Sequence, residues 1–178
     1  ARKLLGNNIF IYTNETEDSE GLGLTHHLFA NVSLREGKID KAAWDLENAI
    51  SHFEEDNNPL VFAQYNLLLG NKFLLQGKSG TAKALIEKSL QYFESVRDHS
   101  GINTCKNYLT DILIRDNRFE KANDIIDEIM DYFEMNEESL NKANALNTKG
   151  DYFFQQGEFE NALELYEKSK SMYEKANA

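Results

Sequence analysis

Four columns of residues recur along this chain at a spacing of forty. Gly37, Gly77, Asn117 and Gly157 form the first, and Ala42, Ala82, Ala122 and Ala162 the second. Leu46, Ile86, Ile126 and Tyr166 form a third. Phe53-Glu54, Phe93-Glu94, Phe133-Glu134 and Tyr173-Glu174 close each copy. The four copies run in register without a gap. A fixed period of roughly twenty to fifty residues marks a stacked array, in which one unit cannot bury its own apolar face and leans on its neighbour.

One proline and ten glycines in 178 residues leave little to interrupt helices and argue against sheet. Each unit is predicted to hold two helices. Asn58 is placed to accept at an N-cap, and Pro59 suits the first helical position, where its missing N–H would be unpaired anyway. The cap column reads Asp18, Asn58, Asp98 and Glu138-Ser139. Gly77 supplies a left-handed turn that a Cβ would penalise. The helices expected from these signals cover 20–36 and 40–55, 59–76 and 81–96, 100–116 and 119–135, and 139–156 and 159–176. Residues 1–13, with Leu4, Leu5, Ile9, Phe10 and Tyr12, read as the second helix of a preceding partial unit. The opening Ala1-Arg2-Lys3-Leu4-Leu5 reads as mid-helix, so the chain is expected to be a piece of a longer protein.

The alanine column has a packing reason: a small side chain there lets paired helices approach closely. Ala30, Gly70, Thr110 and Gly150 form the matching small column on the first helices. Phe29, Leu69 and Leu109, with Phe73, Leu113 and Phe153, are expected to fill the space around it. The Phe/Tyr-Glu column is expected to pack onto the first helix of the next unit.

These columns resemble the tetratricopeptide repeat, whose pattern orders a small residue, a large apolar one, glycine, alanine and a second large residue. The fourth copy carries Leu146, Gly150, Phe153, Gly157, Phe159, Ala162 and Tyr166 in that order; the second carries Gly70, Phe73, Gly77, Ala82 and Ile86. The resemblance covers about residues 23–176 and implies repeats at 23–56, 63–96, 103–136 and 143–176 in one continuous domain. It implies an all-α fold, a right-handed α-solenoid of antiparallel helix pairs. The common repeat has about 34 residues, and the longer period here is similar to the repeats of maltose-activator-type regulators, quorum-sensing peptide receptors and spindle-orientation adaptors. The resemblance therefore implies a protein- or peptide-binding module of a larger regulatory or signalling protein, bacterial by this likeness.

In that family the first helices line a concave wall. The columns expected there read Asn31, Asn71, Asp111, Asp151; then His27, Leu67, Asn107, Asn147; then Leu24, Gln64, Thr104, Asn144; then Arg35, Leu75, Arg115, Gln155. The candidate partner-binding residues are Asn31, Asn71, Asp111, Asp151, Gln64, Asn107, Asn147, Arg35 and Arg115. A file of amides suits an extended peptide, because each amide donates and accepts at once; the competing reading is that these asparagines are simply solvated. Leu34, Leu74, Ile114 and Phe154 are placed to add apolar contact. Asp111 and Asp151 favour a partner carrying Lys or Arg. The carboxylate clamp of chaperone-binding repeats needs lysine in this groove, and none stands there.

A net charge of -11 repels phosphate backbones and anionic membranes, so neither nucleic acid nor a membrane surface is an expected partner. No run approaches ~18 apolar residues, the length that spans a bilayer. Cys105, the single cysteine, permits no intrachain disulfide and fits a cytoplasmic setting, with an extracytoplasmic sensor domain as the alternative.

Other signals fail as chemistry. Gly77-Lys78-Ser79 echoes the end of a phosphate loop, but Lys72 stands where that motif needs glycine. His26-His27, His52 and His99 form no metal-ligand pattern. Asp124, Asp127, Glu128 and Asp131 read as a solvated helix face. Cys105 has only Lys106 as a basic neighbour and reads as a structural thiol. Asn14-Glu15-Thr16 and Asn31-Val32-Ser33 match the glycosylation sequon, the second in mid-helix. No catalytic arrangement, cofactor site or metal site is expected. The second functional reading is a self-associating spacer, a homodimer joined through an uncapped C-terminal end at Tyr166, Met172 and Tyr173.

Overall fold

The computed structural model describes residues 18–54, 57–136 and 139–176. Eight helices and no strands occur among them: α1 (Ser19–Arg35), α2 (Ile39–Ile50), α3 (Pro59–Leu75), α4 (Ser79–Ser95), α5 (His99–Arg115), α6 (Phe119–Met135), α7 (Ser139–Gln155) and α8 (Phe159–Ala176). Residues 1–13 and the first sequon lie outside the described residues. Helix starts fall at 19, 59, 99 and 139 and again at 39, 79, 119 and 159, the forty-residue period made physical.

The caps differ from expectation in one place. Asp18 and Asp98 accept from the backbone N–H of Gly21 and Gly101 at 2.9 and 3.1 Å. Asn58 makes no side-chain cap bond; Pro59 at the first position already removes one of the donors a cap would serve. Helix α2 ends at Ile50, short of the predicted 55, because its last turn tightens into i→i+3 bonds, His52 to Ala49 at 3.1 Å and Phe53 to Ile50 at 3.3 Å.

The turn column adopts the left-handed conformation throughout, with φ of 69°, 75°, 56° and 81° at Gly37, Gly77, Asn117 and Gly157. A Cβ on Gly77 would meet nothing within 4 Å, so the penalty for replacing it is purely conformational. Gly77→Ala is expected to lower stability by about 1 kcal/mol, and Asn117→Gly to raise it by a smaller amount. Urea denaturation of both variants checks the pair; equal midpoints would refute the conformational account.

The chain divides into two compact units between Tyr92 and Phe93. In the first, α1 to α3 close over Ala30, Ala42, Leu46, Ala49, Val61 and Leu68. Close approach is real: a Cβ on Gly70 of α3 would stand 2.7 Å from Ile86 Cγ1 of α4. Ser89 of α4 donates to the Ala63 carbonyl at 2.9 Å. In the second unit, Ile129, Phe133 and Ala145 form a core beneath Ile125, Met130 and Tyr132. A Cβ on Gly150 would meet the Tyr166 ring at 2.6 Å, and Ser169 donates to the Ala143 carbonyl at 2.7 Å. The same serine bond thus pins both pairs, eighty positions apart.

The aromatic column packs more broadly than expected. Phe93 fills the space beside Gly101 of the following helix α5, and Phe133 joins Ala145 of α7, as predicted for contact with the next pair. Phe53, however, lies against Gly23 of its own first helix, α1, as well as the core containing Val61 of α3. A large ring at the end of a pair reaches both neighbours.

Candidate functional site

Residues four apart on a helix share a face, and α5 and α7 use that rule twice. Asn107 and Asp111 stand one turn apart on α5, and Asn147 and Asp151 one turn apart on α7. Asn107, Asp111 and Asn147 line a cavity of 170 Å³ together with Thr104, Tyr108 and Asn144. Asp111 also borders a second depression of 410 Å³, shared with Asp151, Arg115, Ile114 and Gln155. The second unit thus gathers Asn107, Asn147, Asp111, Asp151 and Arg115 around two adjoining hollows.

Acid dominates this region. Burial first, and the neighbouring Asp151 second, push the Asp111 carboxyl up to about 7, against the opposing pull of Arg115. Tyr166 of α8 donates to Asp151 Oδ1 at 2.7 Å, and burial together with that bond raises its phenol. Burial, then Asp111, raises Tyr108 as well. Two lysines on the same helices are occupied elsewhere. Lys106 pairs with Glu128 at 2.5 Å and Lys149 with Asp127 at 3.9 Å, both acids lying on α6.

The first unit arranges its candidates differently. His27 Nε2 lies 2.7 Å from Gln64 Oε1 and 3.3 Å from Asn31 Nδ2. The His27–Gln64 contact joins α1 to α3, with the Asn31 amide in reach of the same ring nitrogen. Asn71 is half-buried on α3. The side chain of Arg35 lies outside the described part of the structure.

One expectation is corrected. Leu74 was assigned to apolar contact beside the groove but is buried in the core; Ile114, also largely buried, walls the 410 Å³ depression, and Leu34 and Phe154 stay exposed. Asn107, a candidate groove contact, is buried within the cavity wall.

The sequence reading also missed a polar cluster in the first unit. Asp45 is 2% exposed and accepts from Ser33 Oγ at 3.2 Å. His26 Nδ1 lies 3.8 Å away, its ring stacked on His52 at 6.4 Å. Burial lowers the His26 pKa, with Asp45 opposing. The signal was present in the repeat: Ser33 stands in the column of Phe73, Leu113 and Phe153, and Asp45 in that of Leu85, Ile125 and Leu165. Two large apolar residues are replaced by a hydrogen-bonded polar pair.

The remaining sequence signals resolve simply. Gly77-Lys78 lies in the turn between α3 and α4, and Ser79 opens α4. Burial pushes the Cys105 thiol up to about 12, which suits a structural residue. Asp124, Asp127, Glu128 and Asp131 are exposed on α6. Among the described residues no group of three or more ligating side chains is placed to hold a metal, and no helix is long and apolar enough to cross a membrane.

Residues 104–175 match the tetratricopeptide repeat. No curated protein matches the chain in sequence. Its fold is similar to that of BtubC (BKLC) from P. vanneervenii, with a TM-score of 0.64 and 18% identity, covering 100% of this chain and 74% of that one. Two structures of a Podosopora anserina protein, described as a kinesin light chain with nearly identical TPR-like repeats, match with TM-scores of 0.57 and 0.55. Each is 14% identical and covers 98% of this chain and 86% of its own. The fold is therefore the expected all-α solenoid of antiparallel helix pairs.

Proposed function

Because tetratricopeptide repeats occupy residues 104–175 and the whole chain has the fold of TPR-like solenoids, we propose that it is the peptide-recognition module of a larger regulatory or signalling protein of bacterial type. Tetratricopeptide repeats generally mediate protein–protein interaction. The repeats assigned here are 23–56, 63–96, 103–136 and 143–176. The observation that carries the reading is the polar face of α5 and α7, where Asn107, Asn147, Asp111 and Asp151 meet at hollows without a lysine of their own to neutralise them. Asn31 on α1 and Asn71 on α3 occupy the same sequence column in the first unit. The forty-residue period, shared with bacterial regulators, supports the regulatory setting.

An array of immobilised decapeptides of varied net charge tests this. Binders are expected to carry Lys or Arg. Asn71→Ala and Asp111→Ala are each expected to weaken the best binder by about 1–2 kcal/mol, or five- to thirtyfold, with folding intact by circular dichroism. Unchanged affinity in both variants would remove the groove reading.

A further inference from the structure

Asn107 is 6% exposed, and its side-chain oxygen has no hydrogen-bond partner among the described residues. An amide oxygen buried without a partner has lost its water and gained nothing in exchange, so a donor arriving from outside is favoured. The cavity that Asn107 lines offers the route. One turn further along α5, Asp111 borders the same cavity and, with Asp151, the adjoining depression. Neither carboxyl group has a cation within ion-pair distance among the described residues. The charged and titratable groups around them are Arg115 and Tyr108 on α5, and Tyr166 of α8, which already donates to Asp151. Toward α6 stand Glu128 and Asp127, each held by a lysine.

We infer that Asn107 and Asp111, with Asp151 at the adjoining depression, form a seat for one primary ammonium group, the side chain of a lysine carried on a peptide. The inference rests on the peptide-binding reading above and names what that face selects. An ammonium offers three donors and no acceptor, which suits the orphaned Asn107 oxygen and the Asp111 carboxyl that line one cavity. A guanidinium is a rigid planar fork suited to one carboxylate at a time, and Arg115 already brings that charge to the rim. The 170 Å³ cavity takes an aminoalkyl chain. The adjoining 410 Å³ depression, walled by Ile114 and Gln155, receives the backbone on which it is carried. Seating a cation turns repulsion between Asp111 and Asp151 into attraction to a shared charge. Binding therefore releases the proton held by Asp111, and affinity rises from about pH 6 to about pH 8.

Calorimetric titration of the whole chain tests the seat with four probes: blocked Gly-Gly-Lys-Gly-Gly, the same peptide with norleucine or arginine at the centre, and n-butylamine. The lysine peptide is expected to bind at least tenfold tighter than each of the others. Asp111→Asn, which preserves shape, is expected to lose about tenfold and to abolish the rise with pH. Asn107→Leu is expected to lose a similar factor, and Asn107→Asp to retain binding. Equal affinity for the lysine and norleucine peptides, no binding of any probe, or wild-type affinity in Asp111→Asn would each overturn the seat. Butylamine binding as tightly as the lysine peptide would assign it to free amines and overturn the peptide source. The groove reading fails on separate data: if only the seat is wrong, Asn71→Ala still weakens the decapeptides selected on the array.

Discussion

Phe133→Ala is expected to lower stability by about 3–5 kcal/mol, the largest effect of any single truncation considered. Phe133 is 1% exposed and touches both a neighbouring turn of its own helix, at Ile129, and the following helix, at Ala145. Its ring also meets Tyr132 edge-on at 5.1 Å. Removing it deletes a large apolar surface and leaves a void that α6 and α7 can close only by moving together. Close packing resists such movement, so the cavity persists and adds to the lost transfer energy. The control is Phe154→Ala on α7, a ring of the same size that is 50% exposed. It should cost under about 1 kcal/mol. Urea unfolding followed by circular dichroism measures both. A loss at Phe133 no greater than at Phe154 would mean that the aromatic column is not a packing element.

Asp111→Asn is expected to stabilise the protein at about pH 8, by about 2 kcal/mol, and to leave it nearly unchanged near pH 4. The carboxyl has an ordinary pKa of 3.8 and is raised to about 7 in the fold, by burial first and by Asp151 second. A group raised in this way holds its proton more tightly folded than unfolded. Its contribution to stability is complete below about 3.8 and is lost as pH climbs through about 7. The size of the displacement bounds the effect near ~4 kcal/mol, and water reaching a half-buried carboxyl reduces it. Thermal unfolding of the wild type and of Asp111→Asn across this range checks the sign. A wild type that gains stability between about pH 5 and about pH 8 relative to the variant would contradict it. The same substitution that stabilises the fold is expected to weaken the lysine peptide, the pattern of a residue kept for binding at a cost in stability.

Helix starts at 39, 79, 119 and 159 were legible because glycine or asparagine turns and small-residue columns act locally, within a few residues. The candidate site was only partly legible. Residue type placed Asn107 and Asp111 on one helical face, but periodicity treats every member of a column alike. It could not tell Leu74 and Ile114, buried, from Leu34 and Phe154, exposed, although all four share one column. Nor could it tell Asn31, drawn toward His27 and Gln64, from Asp111, set beside Asp151 at a shared depression. The Ser33–Asp45 pair was visible only as two breaks in apolar columns, and its meaning needed the 3.2 Å bond between them.

The order of residues alone determined the helical class, the forty-residue step, the left-handed turns and the tight helix pairs, because each follows from backbone sterics and side-chain size at fixed spacing. Tertiary structure decided which of the repeated polar residues lose water. Asp111 and Asn107 line a shared cavity with residues of α7, while Lys106 and Lys149 are drawn off to α6. Desolvation and charge pairing depend on neighbours brought together from distant parts of the chain, and no single repeat carries that information.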